Sequence, residues 1–277
     1  LMDALAAWTG HWRLPLPTAI NGAFALLALI VLLLPSLPFP RRLLPLLLLP
    51  WLCQRPQPLP DGEWQLVAFD VGQGLALAVR TREHLLIYDT GPSWPGDSMA
   101  RRIVVPWLAR QGLTPDRIII SHGDNDHAGG ADALAGMAPV LSGESSRVPD
   151  SRPCHAGQQW QWDGVAFSLL WPRRGVRPGN ESSCVLHVAG ADRSLLIPGD
   201  IGKQSEYRLL GELPPTDLLV VPHHGSNSST SAALLRQLRP AYALVSAGYR
   251  NRFRHPHPQV LQRLGLSLIH ISEPTRP

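Results

Sequence analysis

The stretch Ser121-His122-Gly123-Asp124-Asn125-Asp126-His127 decides how this sequence is interpreted. It places two imidazoles and two carboxylates within six residues, directly after the apolar run 117–120. Imidazole nitrogen and carboxylate oxygen are ligands that Zn²⁺ and Mn²⁺ accept. A solvated polar turn is the alternative, but such a turn has no need of two histidines framing two carboxylates. The stretch therefore predicts a metal centre at the end of a β-strand.

Two further polar sites follow apolar runs. Asp200 follows the run 194–197, and the pair His223-His224 follows the run 217–221. A carboxylate in that position can bridge two ions, although Gly-Asp after a strand is also a common turn. Two divalent ions, Zn²⁺ or Mn²⁺, would activate a nucleophile and polarise a phosphoryl or acyl oxygen. Three such sites in one domain favour a two-metal hydrolase.

Other polar residues could support the metal centre. Asp70 and Asp89 either orient imidazoles or cap their own turns. The loops 180–183 and 226–230 either bind substrate oxygens or are ordinary loops, and 255–258 either adds a ligand or substrate contact or lies on the surface. The candidates for these supporting roles are Asp70, Asp89, Asn180, Ser183, Ser226, His255 and His257.

The hydrophobic pattern predicts a mixed α/β domain in which short β-rich runs alternate with helical ones. Strands are predicted at 64–69, 75–79, 84–88, 117–120, 165–170, 183–188, 194–197, 217–221 and 242–246, and helices at 103–111, 131–137, 205–210 and 231–238. The alternation of Trp160 and Trp162 fits one strand face packed into a core better than a platform for nucleic-acid bases.

The composition indicates a folded chain. Its 277 residues are 44% apolar, which suffices for a core and excludes a disordered protein. The net charge is +4, and arginine supplies it apart from Lys203. Arginine suits phosphate contacts, but the codon usage of a high-GC genome is the favoured explanation of the arginine content, so charge alone identifies no partner. Cys154 and Cys184 could form a disulfide or remain two unpaired core residues.

The first sixty residues differ from the rest. Residues 19–39 are almost wholly apolar and about long enough to cross a ~30 Å hydrocarbon layer, whereas the second run, 43–52, is shorter. No secretory signal peptide is evident. We expect residues 1–53 to be the last one or two transmembrane helices of a larger membrane domain, 54–62 a proline-rich linker, 63–265 the soluble domain, and 266–277 a non-native tail that resembles translated adapter sequence.

Seven motifs follow one another along the chain: Phe69-Asp-Val-Gly-Gln-Gly74, Tyr88-Asp-Thr-Gly91, Ser121–His127 as quoted above, Ser183-Cys-Val-Leu186, Pro198-Gly-Asp200, Val221-Pro-His-His-Gly-Ser226 and His255-Pro-His-Pro258. In this order, and over about residues 60–262, they resemble the C-terminal domain of ComEC-type DNA uptake proteins. The resemblance implies an αββα metallo-β-lactamase sandwich preceded by one or two transmembrane helices. It also implies a multi-pass protein of the inner membrane, with the soluble domain on the periplasmic or outer face.

For function, the resemblance implies a metal-dependent nuclease that processes DNA during natural transformation. The implied partners are DNA, the inner membrane, the remainder of the channel domain and other competence proteins. The implied metal ligands are His122, Asp124, Asp126, His127, Asp200 and one of His223 and His224, with Asp126 and Asp200 as catalytic residues. Two departures concern the first metal site: the commoner superfamily pattern has histidine where Asp124 stands, and the usual histidine before the bridging carboxylate is replaced by the stretch 180–183.

Two other functions are compatible with the sequence. The incomplete first site allows a non-catalytic module that guides DNA through a transporter. The same fold could also hydrolyse small esters or lactones, since fold alone does not fix the substrate.

Overall fold

The computed structural model describes residues 19–33, 58–265 and 270–272. The chain divides into two compact units, Leu1–Pro58 and Leu59–Pro277. In the first unit, helix α1 spans Ala19–Leu33. Within the described ranges, no helix combines the length and the apolarity needed to cross a bilayer. The expected second span, 43–52, and the linker residues 54–57 lie outside the described residues.

The second unit is built on two mixed β-sheets and a small hairpin. The strands are β1 Gln65–Ala68, β2 Leu77–Arg80, β3 Leu85–Tyr88, β4 Ser93–Trp94, β5 Asp97–Ser98, β6 Arg117–Ile120, β7 Val140–Ser142, β8 Ser151–Pro153, β9 Gln159–Trp162, β10 Val165–Trp171, β11 Val185–Ala189, β12 Ser194–Ile197, β13 Leu218–Val220, β14 Tyr242–Leu244 and β15 His270–Ser272. One sheet has the order β1-β2-β3-β6-β7-β8, and the other has the order β15-β14-β13-β12-β11-β10-β9.

Short helices cover the outer faces of both sheets. They are α2 Val105–Gln111, α3 Asn125–Ala128, α4 Lys203–Leu209, α5 Ala232–Leu238 and α6 Pro258–Gly265. Leu108 of α2 packs in one buried cluster with the outer face of the first sheet. Leu209, Leu235 and Val260 pack in another with the outer face of the second sheet. The layers are therefore helix, sheet, sheet and helix, the αββα arrangement expected from the sequence.

The sheets pack face to face because their strands alternate. Along β10 the burial alternates, and Phe167 and Leu169 point into the core between the sheets. Leu86 and Tyr88 enter the same core from β3, which lies between two other strands and is buried on both faces. Such a central strand is continuously apolar, as its sequence Leu-Leu-Ile-Tyr shows.

Two questions from the sequence are answered in this core. Cys154 and Cys184 form a disulfide that closes a separation of 30 residues and joins the two sheets. Trp160 and Trp162 lie on one face of β9 and pack against the core, where the Trp160 ring stacks on Phe167 with 5.2 Å between ring centroids. The prediction that these tryptophans pack into the core is confirmed.

Some elements differ from the sequence prediction. The helix expected at 131–137 is only a 3-10 turn, Ala131–Leu134, and Gly136 follows it with a left-handed φ of 75°. The helix expected at 103–111 begins earlier, with a π-helical turn over Ala100–Val104 that leads into α2. Strands β7 and β8 were not predicted, because Val-Leu-Ser and Ser-Arg-Pro form neither an apolar run nor a clear alternation.

Candidate metal centre

The His/Asp stretch lies where β6 ends at one edge of its sheet. Residues 121–124 form the loop after β6, and residues 125–128 form the single turn of α3. His122 and His127 are buried with 4.3 Å between ring centroids. Gly74 fixes the loop from the other side, because its φ is 146° and a Cβ there would lie 2.5 Å from the Asp126 carbonyl oxygen. The close approach of these two backbones therefore needs glycine.

Side chains from three separate loops lie close together. His127 Nε2 lies 3.1 Å from His224 Nε2 and 3.2 Å from Asp200 Oδ2. His224 Nε2 lies 3.4 Å from Asp126 Oδ2 and 3.5 Å from Asp200 Oδ2. Asp126, His127 and His224 present ligand atoms within 4.8 Å of one another, as a set of ligands around a small cation would.

Hydrogen bonds on the far side of each imidazole fix which nitrogen faces this point. The Nδ1 of His127 lies 2.7 Å from Asp89 Oδ2, and the Nδ1 of His224 lies 2.8 Å from the Ser246 carbonyl oxygen. Because both partners are acceptors, both Nδ1 atoms carry the proton and both Nε2 atoms present a lone pair. The two rings are held in the form that a metal ion binds.

Asp89 is also connected to His122, through hydrogen bonds that both make with the Ser121 hydroxyl. It accepts hydrogen bonds from the Ser121 amide at 2.6 Å and from Ser121 Oγ at 2.8 Å. The hydroxyl proton is used in that bond, so Ser121 Oγ accepts from His122 Nδ1, which lies 3.0 Å away. His122 Nε2 is buried and has no hydrogen-bond partner. An unpaired buried acceptor is costly unless a ligand meets it, so the site fits a cation.

The buried carboxylates of the cluster favour a positive charge among these residues. Burial alone would lower the pKa of His127, but the carboxylates of Asp200 and Asp89 outweigh it and raise that pKa well above its usual value. Burial would raise the pKa of Asp200, but the surrounding histidines hold it well below the usual range. The carboxylates thus favour a positive charge beside His127 Nε2, which a divalent cation would supply in place of a proton.

The first metal site, which lies around His122, is less complete. Its possible ligands are His122, His127 and Asp200. Asp124 lies at the rim, with Oδ2 3.5 Å from His122 Nε2 and Oδ1 3.1 Å from Arg147 Nη1. No histidine from the stretch 180–183 completes the set, and the Ser183 hydroxyl lies 3.4 Å from His122 Nδ1. The Asp124 carboxylate therefore faces both His122 and Arg147.

Comparisons with known proteins agree with this fold. The family model of the metallo-beta-lactamase superfamily matches residues 69–249. The chain belongs to the metallo-beta-lactamase superfamily. The crystal structure of the metallo-beta-lactamase fold protein YhfI from Bacillus subtilis superposes with a TM-score of 0.51 at 11% identity, covering 75% of this chain and 96% of that one. The expected fold and the expected class, a metal-dependent hydrolase, agree with this membership.

Two relatives carry the names of a recombination protein and a competence protein, and their similarity confirms the resemblance to ComEC-type proteins. Recombination protein 2 of Haemophilus influenzae is 40% identical over 211 residues, 73% of this chain and 26% of its own length. Competence protein ComA of Neisseria gonorrhoeae is 36% identical over 267 residues, 92% of this chain and 37% of its own length. The chain thus spans about a quarter to somewhat over a third of these relatives.

The two neighbouring histidines of this metallo-beta-lactamase domain take different positions. Both have left-handed φ, 51° at His223 and 55° at His224, and Gly225 continues the turn at 82°. This strained backbone turns His224 into the cluster while His223 stays at the rim. His223 Nε2 lies 3.7 Å from Asp200 Oδ2 and 3.3 Å from the Asn180 amide nitrogen.

Some of the supporting candidates lie beside the metal-binding residues, and others lie away from them. Asp70 accepts a hydrogen bond from the Gly72 amide at 3.2 Å and so caps its own turn. Ser226 Oγ bonds Ser228 Oγ at 2.9 Å in the adjacent loop. The His255 ring stacks on His224 with 6.5 Å between centroids, whereas His257 Nδ1 accepts from the Gln259 amide at the start of α6.

Glu144 is a site residue that sequence analysis missed. Its buried carboxylate accepts from the Gly123 amide at 2.7 Å and from the Gly179 amide. It therefore ties the metal-binding loop to the loop that carries Asn180, and it pairs with Arg147. These partners lie 21 and 35 residues away, so no local pattern marks Glu144.

Proposed function

We propose that this domain is a metal-dependent phosphodiesterase that hydrolyses DNA during uptake. The observation that carries the proposal is the pair of adjacent ligand sets that share His127, one with Asp126 and His224 and the other with His122 and Asp200. The names of the relatives, a recombination protein and a competence protein, support DNA as the substrate class.

The residues assigned to the metal fall into two groups. Asp126, His127 and His224 would hold one divalent ion, and His122, Asp200 and Asp124 would hold the other. When bound, these ions supply the Lewis acidity needed to activate a nucleophile and stabilise charge on a phosphodiester. Zn²⁺ and Mn²⁺ both suit this mixture of imidazole and carboxylate ligands.

The chain's own side chains prepare the site for a phosphate. Asp89 holds His127 with its Nε2 lone pair inward, and Glu144 fixes the loop beside His122. The side-chain amide of Asn180 donates to His223 Nε2 at the rim over 3.3 Å, and its second N–H is suited to donate to a phosphate oxygen. The closed back of the cluster excludes water, since His122 and His127 are fully buried.

The membrane setting belongs to the same proposal. The apolar composition of residues 19–39 and the competence-protein relatives support an inner-membrane, multi-pass protein whose hydrolase domain lies on the periplasmic or outer face. Its partners would be DNA, the remainder of the channel domain and other competence proteins. Protease accessibility of the second unit in spheroplasts tests the orientation: protection from added protease contradicts it.

A cleavage assay tests the activity. The purified chain, loaded with Mn²⁺ or Zn²⁺, is incubated with end-labelled DNA beside the Asp126→Asn variant. Asp132→Asn is the matched control, because Asp132 is an exposed carboxylate on the same segment whose contact is a surface pair with Arg101. The proposal expects cleavage by the native chain and the control, with a loss of about a hundredfold or more in Asp126→Asn. A folded, metal-loaded chain that cleaves no DNA contradicts the proposal.

A non-catalytic role in guiding DNA is the second candidate, and the pairing of Asp124 with Arg147 favours it. That ion pair competes with any cation for the carboxylate and leaves the first site short of ligands. The two roles are separated by measuring bound metal, DNA binding, DNA uptake and DNA cleavage in the same variant. A guiding module would still bind DNA and support uptake in the Asp126→Ala variant, whereas a nuclease would lose cleavage.

A further inference from the structure

The segment between β14 and α6 presents an unusual surface next to the metal centre. We call residues 248–255 the arginine-aromatic loop. Five of its side chains are exposed: Tyr249, Arg250, Arg252, Phe253 and Arg254. Tyr249 is 71% exposed and Phe253 is 49% exposed, which is unusual for two large rings in one short loop.

The positive charge of this loop is not neutralised. Among the described residues, no carboxylate lies within ion-pair distance of Arg250, Arg252 or Arg254. Instead, two of the guanidinium groups lie over the loop's own rings. Arg250 lies 5.3 Å from the centroid of Tyr249, and Arg252 lies 4.7 Å from that of Phe253. The loop therefore offers cations and aromatic faces together.

The loop is held in one conformation from within. The side chain of Asn251 donates to the carbonyl oxygens of Gly248 at 2.9 Å and His255 at 2.6 Å. Its Oδ1 accepts from the amides of Phe253 at 3.1 Å and His255 at 3.0 Å. One half-buried amide thus closes the whole loop, so its exposed groups are arranged before any ligand arrives.

The loop is also connected to the metal centre. The Phe253 ring stacks on His255 with 5.6 Å between centroids, and His255 stacks on His224 at 6.5 Å. This row of rings runs from the exposed surface to an imidazole of the cluster. At the other end, Gly248 packs against Gln73, and a Cβ at Gly248 would lie 2.8 Å from the Gln73 amide.

We propose that the arginine-aromatic loop binds a single strand of DNA and leads it to the metal centre. The arginines would contact phosphates, and Tyr249 and Phe253 would stack on bases. A single strand is favoured over a duplex because its bases are free to stack on exposed rings. This inference rests on the proposed function, since it names the form of DNA that enters the same site.

Binding without metal tests the loop separately from cleavage. The full 277-residue chain in EDTA is titrated into a fluorescein-labelled oligothymidine of about twelve nucleotides, a length within the range of single-strand sites, and into a duplex of equal length. Fluorescence anisotropy is recorded at several salt concentrations. One variant combines Arg250→Ala, Arg252→Ala and Arg254→Ala, and a second combines Tyr249→Leu and Phe253→Leu.

The matched control combines Arg110→Ala, Arg193→Ala and Arg236→Ala, which removes the same charge from exposed positions outside the loop. The arginine variant should lose roughly tenfold or more in affinity, and the slope of log affinity against log salt should fall by about 2, since each phosphate contact to a single strand contributes about 0.7. The aromatic variant should lose roughly tenfold with little change in slope. The control should bind like the native chain, and thermal melting should show that all variants fold.

Equal losses in the control and the arginine variant would overturn the proposal, as would tighter binding of the duplex. An anionic membrane is the other surface that arginine and aromatic side chains recognise. Loop variants that lose binding to phosphatidylglycerol vesicles but keep binding to the oligonucleotide would therefore also overturn it. If the native chain binds the single strand as expected but cleaves no DNA with any divalent metal, the proposed function fails while the loop assignment stands.

Discussion

Replacing Asp89 by asparagine tests how the metal centre is prepared. The carboxylate accepts three hydrogen bonds, from His127 Nδ1 at 2.7 Å, the Ser121 amide at 2.6 Å and Ser121 Oγ at 2.8 Å. An asparagine keeps the size and tolerates the left-handed φ of 58°. However, its NH₂ group is a donor, so at least one of these partners loses its acceptor.

The expected result is weaker metal binding with little loss of fold. A donor facing His127 Nδ1 moves the ring proton to Nε2, which removes the lone pair that a metal needs. Changes to such partners of metal-binding histidines cost about 10- to 100-fold in metal affinity, or about 1.4 to 2.7 kcal/mol.

Competition with a fluorescent chelator measures this loss for Zn²⁺ and Mn²⁺. Asp70→Asn is the matched control, because Asp70 ends a neighbouring loop but accepts only from the Gly72 amide. The control should keep native affinity. If Asp89→Asn binds metal as tightly as the native chain, the assignment of the histidine tautomers is wrong.

Two further predictions concern stability rather than the site. Replacing Cys154 and Cys184 by alanine opens a 30-residue separation and should lower the free energy of unfolding by roughly 3 to 4 kcal/mol, measured by urea denaturation; a loss below about 1 kcal/mol would contradict this. Burial would raise the pKa of Asp163, but hydrogen bonds from Thr81 and His84 and from a backbone amide lower it. Asp163→Asn should therefore cost about 1 to 3 kcal/mol at neutral pH. Because the folded-state pKa lies below the unfolded value, this difference should begin to shrink as the pH falls below about 4; a difference that is constant with pH would contradict the reasoning.

The sequence predicted the parts of the fold that depend on local pattern. The strand at 117–120 and the strand at 194–197 have the predicted bounds, because each combines apolar residues with a polar stop. Polar residues follow both strands, and the presence of several such strand-end residues predicted a metal centre. That these residues meet depends on how the two sheets pack, because β6 and β12 lie in different sheets.

Other features depend on contacts between distant parts of the chain. From the sequence, His223 and His224 are equally good candidates for a metal ligand. Only the backbone turn at these residues decides which one points into the cluster. Asp70 and Asp89 are similarly alike in sequence, yet one caps a turn and the other holds His127. Such choices follow from packing geometry, which periodicity does not encode.

Metal content of the two histidine variants tests the central claim most directly. His224→Ala and His223→Ala are purified in parallel with the native chain, dialysed against metal-free buffer and analysed by inductively coupled plasma mass spectrometry. Because His224 Nε2 lies 3.5 Å from Asp200 Oδ2 and 3.1 Å from His127 Nε2 inside the cluster, His224→Ala should lose bound metal while His223→Ala retains it. Retention of native metal by His224→Ala, or its loss only in His223→Ala, would contradict the account.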